Sequence, residues 1–172
     1  MGTVWGRRWF CFVGALWLCL LCGGCERLQV EDLRLRSFRA EAVIHRAVRE
    51  ERVRIEASPS SEGELSVEWL HPEEMAGLTL RKKGDQWTLS WHGREMDGTP
   101  FRSAVAELTS LLSSGEWSPV QRSAYRGREA ILVSVLRDGK EGYLYMDRQG
   151  REPLGLIMNG VEWELLWFEL KK

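Results

Sequence analysis

Four cysteines, three histidines and 25 acidic residues bound the chemistry open to this 172-residue chain. Cys11, Cys19, Cys22 and Cys25 all lie near the N-terminus. Their C-x-x-C spacings would hold a metal or exchange a dithiol on a strand-to-helix scaffold, but here they sit in an apolar run that supplies no such context. His45, His71 and His92 are widely separated and lack metal-ligand spacing. His71-Pro72-Glu73-Glu74 places an imidazole beside two carboxylates, and its proline reads as an ordinary turn after a strand. No Gly-x-Ser-x-Gly, Ser-x-x-Lys or phosphate-cradling glycine loop occurs. Glu50, Glu51 and Asp138 read as exposed acids on strands and hairpins, without the desolvation that tunes a catalytic acid. The sequence therefore implies no enzyme, no metal and no cofactor.

The residue left with a chemical role is Cys25. Arg7-Arg8, the apolar run from Trp9 to Leu21 and the pair Gly23-Gly24 match the positive, apolar and small-residue regions of a secretory signal. With a cysteine directly after the small pair, the segment resembles a bacterial lipoprotein signal. That resemblance implies cleavage before Cys25 and a diacylglyceryl group on its thiol. Cys22 departs from the pattern, since leucine usually stands three places before the modified cysteine. The alternative is an uncleaved anchor, which would need about 20 apolar residues, more than this run provides. Both readings put the bulk of the chain outside the cytoplasm, because the arginines precede the apolar run. The expected organisation is a signal over 1–24, a lipidated N-terminus and polar tether over 25–36, and one domain over 37–172.

Loss of the signal moves the net charge from -1 to about -3. Arg81-Lys82-Lys83 and Lys171-Lys172 read as a solvated turn and terminus, so nucleic acid is not an expected partner.

The domain must be mostly antiparallel strand. Phe38, Ala40, Ala42 and Ile44 alternate with polar neighbours, as do Val53, Ile55 and Ala57, which is the period of half-buried strands. Further strands are expected over 65–70, 78–81, 87–91, 129–137, 143–147, 154–158 and 161–170. His92-Gly93 closes the first series, and Asp138-Gly139, Gln149-Gly150 and Asn159-Gly160 punctuate the second. Asn159-Gly160 is the strongest hairpin signal, because both residues tolerate positive φ. Between the series a helix is expected, with Thr99 as N-cap, Pro100 at its first position and Gly115 as its stop. Phe101, Val105, Leu108, Leu111 and Leu112 would form its apolar stripe. The class is α+β.

This order resembles the LolA and LolB family of outer-membrane lipoprotein carriers and receptors. The likeness rests on Trp69-Leu70-His71-Pro72 after a strand, Leu78-Thr79-Leu80 with Lys83-Gly84-Asp85, and the mid-chain helix. It continues through Tyr143-Leu144-Tyr145-Met146-Asp147, Arg151-Glu152-Pro153, Leu154-Gly155-Leu156 and the final strand from Trp163 to Phe168. The resemblance implies a strongly curved, incomplete antiparallel barrel with helix over its concave face and an apolar cavity beneath. Anchored relatives include a clostridial germination lipoprotein that binds a cortex-cleaving amidase.

Two function classes follow. In the first, the chain is a non-catalytic lipoprotein that takes a lipid, lipidated polypeptide or other apolar ligand into the concavity. Its walls would be Trp69, Trp87, Trp91, Trp163 and Trp167 from the sheet and Phe101, Val105 and Leu108 from the helix. Trp87 with Trp91, and Trp163 with Trp167, are each an even number of residues apart and would share a face. In the second, the domain scaffolds or activates an envelope or spore-cortex enzyme through a strand edge or its convex face, and edge pairing would also permit a homodimer. An open apolar cavity favours the first class, and a filled interior the second.

Overall fold

The computed structural model describes residues 30, 31, 33, 36–58, 64–108, 116–137 and 139–171. The signal segment, Cys25, Leu111, Leu112, Gly115 and Asp138 lie outside them.

Eleven strands form a single antiparallel sheet: β1 (Phe38–His45), β2 (Glu50–Ser58), β3 (Glu64–His71), β4 (Thr79–Lys83), β5 (Gln86–Trp91), β6 (Arg94–Asp97), β7 (Glu116–Tyr125), β8 (Arg128–Arg137), β9 (Lys140–Asp147), β10 (Pro153–Met158) and β11 (Val161–Leu170). Their spatial order is β6-β5-β4-β3-β2-β1-β11-β10-β9-β8-β7. Two meanders are thus joined at the middle by β1 and β11, and the sheet is curved and unclosed. Its two edges, β6 and β7, are consecutive in the chain. The connection between them carries the helical segment, as the resemblance to the carrier family implies.

Alternation decides which face is buried. In β1 the inward residues Phe38, Ala40, Ala42 and Ile44 are buried while Arg39 is exposed, and β2 and β3 repeat the pattern with Val53, Ile55, Leu65, Val67 and Trp69. The hairpin turns His92-Gly93, Arg126-Gly127 and Asn159-Gly160 each have two successive positive φ values. That geometry gives a two-residue turn the twist of the strands it joins. His92-Gly93 therefore does not end the first series but turns it into β6.

The helical segment differs from expectation in three ways. Gly98, not Thr99, is the N-cap residue. The Asp97 carboxylate instead accepts bonds from the Thr99 amide at 2.9 Å and hydroxyl at 2.7 Å. The segment opens as a 3-10 helix over Thr99–Val105 and becomes α-helical at 106–108. At three residues per turn, Phe101 falls off the line of Val105 and Leu108. It is accordingly exposed, while those two are buried in the core.

Candidate functional site

The concave face is the expected ligand chamber, and among the described residues its side chains pack against one another. Trp69 and Trp163 are 1% exposed, Val105 0% and Leu108 4%, and Trp87 is partly buried against the same cluster. Among the described residues a void on this face is walled by residues that include Leu33, Phe38, Ile55, Leu108, Leu156 and Trp163. Its free volume is about 10 Å³, room for about one water molecule. Known small-molecule sites run to roughly 300–1,000 Å³. Leu33 comes from the stretch read as tether, yet it is 1% exposed. The Glu31 amide bonds to the Gly150 carbonyl at 2.7 Å, which brings that stretch against the turn between β9 and β10.

The remaining three predicted residues are not in the chamber. Trp167 stands on the outer face. β11 carries a bulge at Leu166, where Ala42 pairs with Leu165 but Glu41 pairs with Trp167. One extra residue reverses the alternation, so Trp163 faces in and Trp167, 48% exposed, faces out. Trp91 does share the inward face with Trp87, but it lies at the strand end and is largely exposed. Phe101 is exposed at the helix start.

Sequence reasoning missed a polar group inside this core. Glu51 is 1% exposed, where the alternation of β2 puts it in phase with Val53 and Ile55. That phase was the available signal. Its carboxylate accepts from Trp69 Nε1 at 2.8 Å and Arg49 Nε at 2.6 Å, with Arg46 Nε at 3.6 Å. Arg46 also donates to the Ala104 carbonyl at 2.7 Å. One ion cluster, built on a buried carboxylate with its arginines reaching solvent, thus ties the β1–β2 hairpin to the helical segment.

On the outer face the tip of the β7–β8 hairpin folds back over the sheet. The Arg126 guanidinium lies 2.9 Å from Glu164 and 3.2 Å from Glu162, and 3.1 Å from His45 Nε2. His45 also lies between Glu50 and Glu164. Burial would raise the Glu162 carboxyl, but hydrogen bonds from Tyr125 and Arg126 and the Arg126 charge hold it below the usual carboxylate range. The Tyr125 phenol is pushed well above its ordinary value by burial and by the Glu162 carboxylate.

What stays open is the β6 edge. Trp91 and Arg94 close a two-residue hairpin, so bonded and non-bonded pairs alternate from there. The Gly98 amide bonding to the Trp87 carbonyl at 3.0 Å fits that phase. The amides of Glu95 and Asp97 therefore point away from β5, and among the described residues no strand lies beyond them. Met96, 48% exposed, pairs with Leu89 and shares the inward face with Trp91. Glu95 and Asp97 line a shallow cleft with Asp85 and Trp87, and the Thr99 hydroxyl and amide hold the Asp97 carboxyl below the usual range. The β7 edge is different: it contains Pro119, and its register shifts between Pro119 and Gln121. A proline and a bulge are the usual means of blocking strand addition.

Among the described residues no cluster of His, Cys, Asp and Glu could hold a metal ion, and no helix is long and apolar enough to cross a membrane.

No family model matches the chain, and no curated protein matches it by sequence. Solved structures do resemble it. An uncharacterized conserved protein from Thermus thermophilus superposes with a TM-score of 0.53 at 14% identity, over 80% of each chain. The Pseudomonas aeruginosa MucA/MucB complex gives a TM-score of 0.47 at 16% identity, over 81% of this chain and 53% of that one, so this chain spans about half its length. A LolA superfamily protein from Nitrosomonas europaea gives 0.40 at 10% identity, over 80% of this chain and 87% of that one. These likenesses concern fold.

Proposed function

We propose that this chain is a non-catalytic, extracytoplasmic lipoprotein, tethered through lipid on Cys25, whose domain recognises another polypeptide along β6. The observation that carries the reading is the contrast, among the described residues, between a closely packed concave face and an edge strand with no strand beyond it. An incoming extended segment would complete the β6 ladder through the Glu95 and Asp97 amides, as in other strand-addition complexes. Its apolar side chains would meet Trp91 and Met96. A cation on it would meet Glu95 and Asp97. Aromatic and methionine side chains are the residues that anchor such contacts.

The lipid reading is supported by the void on the concave face, whose walls among the described residues are wholly apolar. Native mass spectrometry of the protein, extracted gently from its own membrane, separates the two. Recognition of a polypeptide predicts a protein carrying only its covalent acyl groups. An additional lipid retained without covalent attachment would favour the chamber.

A further inference from the structure

We propose that the rim of the half-barrel bearing Arg81, Lys82, Lys83 and Lys171 faces the bilayer and binds anionic lipid headgroups. The inference rests on the lipid-anchor part of the proposed function.

Three observations place this rim at the end of the sheet that the N-terminal stretch meets. The Lys171 amide bonds to the Ser37 carbonyl at 2.8 Å, so the final strand ends beside the start of β1, at the same end of the sheet as the β9–β10 turn that Glu31 meets. Ser37 Oγ lies 3.3 Å from Ser58 Oγ at the end of β2. A surface groove at this end is lined by the four cations above together with Glu56, Ser58, Glu64 and Ser66. From sequence the basic run reads as a solvated turn, and only the fold brings Lys171 beside it.

Charge favours an anionic surface there. Lys171 lies 3.5 Å from Glu56, which also pairs with Arg39 at 2.7 Å, and Lys83 lies 3.5 Å from Glu64. Arg81 and Lys82 have no ion-pair partner among the described residues. Among the described residues the groove thus carries two more positive than negative side chains, in a chain whose net charge is negative. A headgroup layer offers what a single anion does not: many negative charges held at the height at which the acyl chains fix the domain. Each juxtamembrane cation strengthens such an association roughly fivefold at physiological salt, and salt weakens it.

The orientation has a consequence for partner binding. Gln86 starts β5 at this rim and Trp91 ends it, about 17 Å further along the strand. A domain seated on its basic rim would therefore hold Trp91 away from the membrane.

The test uses the acylated protein reconstituted into vesicles of phosphatidylcholine alone or with one third phosphatidylglycerol, with amine-reactive labelling of Lys83 and Lys171 read by mass spectrometry. The expected result is severalfold less labelling of both lysines on the anionic vesicles. That protection should disappear in 0.5 M salt and in the Arg81→Glu, Lys82→Glu double variant. Equal labelling on both vesicle types, with the protein vesicle-bound, would overturn the inference alone. A protein that sediments with neither vesicle would overturn the anchor reading and the inference with it.

Discussion

The Tyr125 hydroxyl donates a 2.8 Å hydrogen bond to Glu162 Oε1, joining edge strand β7 to β11 across the outer face of the three strands between them. The phenol ring stands 4.8 Å from that of Tyr145 and lies over Gly155, where a Cβ would come within 2.4 Å of it. Tyr125→Phe should cost about 1.5–3 kcal/mol, the range for a hydrogen bond to a charged group. Gly155→Ala should cost about 1–3 kcal/mol through overpacking. In a Tyr125→Ala background the Gly155→Ala penalty should largely vanish, because the clash partner is gone. Urea midpoints of the parent protein and these four variants check this.

The same contact sets a pH dependence with two limbs. The folded-state value of Glu162 is depressed, so its contribution is complete above the unfolded value of about 4.3 and is lost as pH falls through the folded one. The folded-state value of Tyr125 is raised, so its contribution is complete below the unfolded value of about 10 and is lost as pH rises beyond it. The stability difference between the protein and its Tyr125→Phe variant should therefore be flat from about pH 6 to 9 and shrink on both sides. Denaturant titrations across pH measure it.

Glu51 is held by charge and by Trp69. Glu51→Ala leaves Trp69 Nε1 without its acceptor and Arg49 and Arg46 without their counter-ion. A loss of about 1–3 kcal/mol is expected, mostly from the unsatisfied Trp69 N–H, since the arginines reach solvent, which screens their charge. Tryptophan emission in the folded state should shift, since the indole N–H of Trp69 changes partner. Glu51→Gln, which keeps an acceptor, should lose less.

Lipid attachment is tested by Cys25→Ser. One acyl chain alone binds membranes marginally and two or more hold a protein stably, so the variant should move to the soluble fraction with its melting temperature unchanged. A variant that remains in the membrane fraction would point to an uncleaved anchor.

The inward faces of β1 to β5 were legible in the sequence because their apolar residues keep period two. β6 and β7 were not. Only Met96 is apolar in β6, as befits a short exposed edge. In β7, Pro119 and the register shift after it break the alternation. Trp167 was assigned to the wrong face for a related reason, since a bulge is invisible to counting by twos. Glu51 could have been found from its phase. Leu33 could not, because an isolated leucine in a charged stretch carries no periodic signal. Trp69, Trp87, Trp91 and Trp163 lie on the inward face of the sheet as their spacing implies, but whether side chains fill that interior is a matter of volume, which patterning does not report.

The measurement that bears most directly on recognition along β6 is site-specific photocrosslinking of the full chain in its native envelope. A benzophenone side chain is placed at Met96 or, as a control, at Leu156 in the core, each with and without Glu95→Pro. That proline removes an outward amide while leaving the β5 ladder intact. The account predicts a single defined polypeptide adduct from position 96, abolished by Glu95→Pro at an unchanged melting temperature, and no lipid adduct from position 156. A lipid adduct from position 156, or a polypeptide adduct at 96 indifferent to Glu95→Pro, would contradict it.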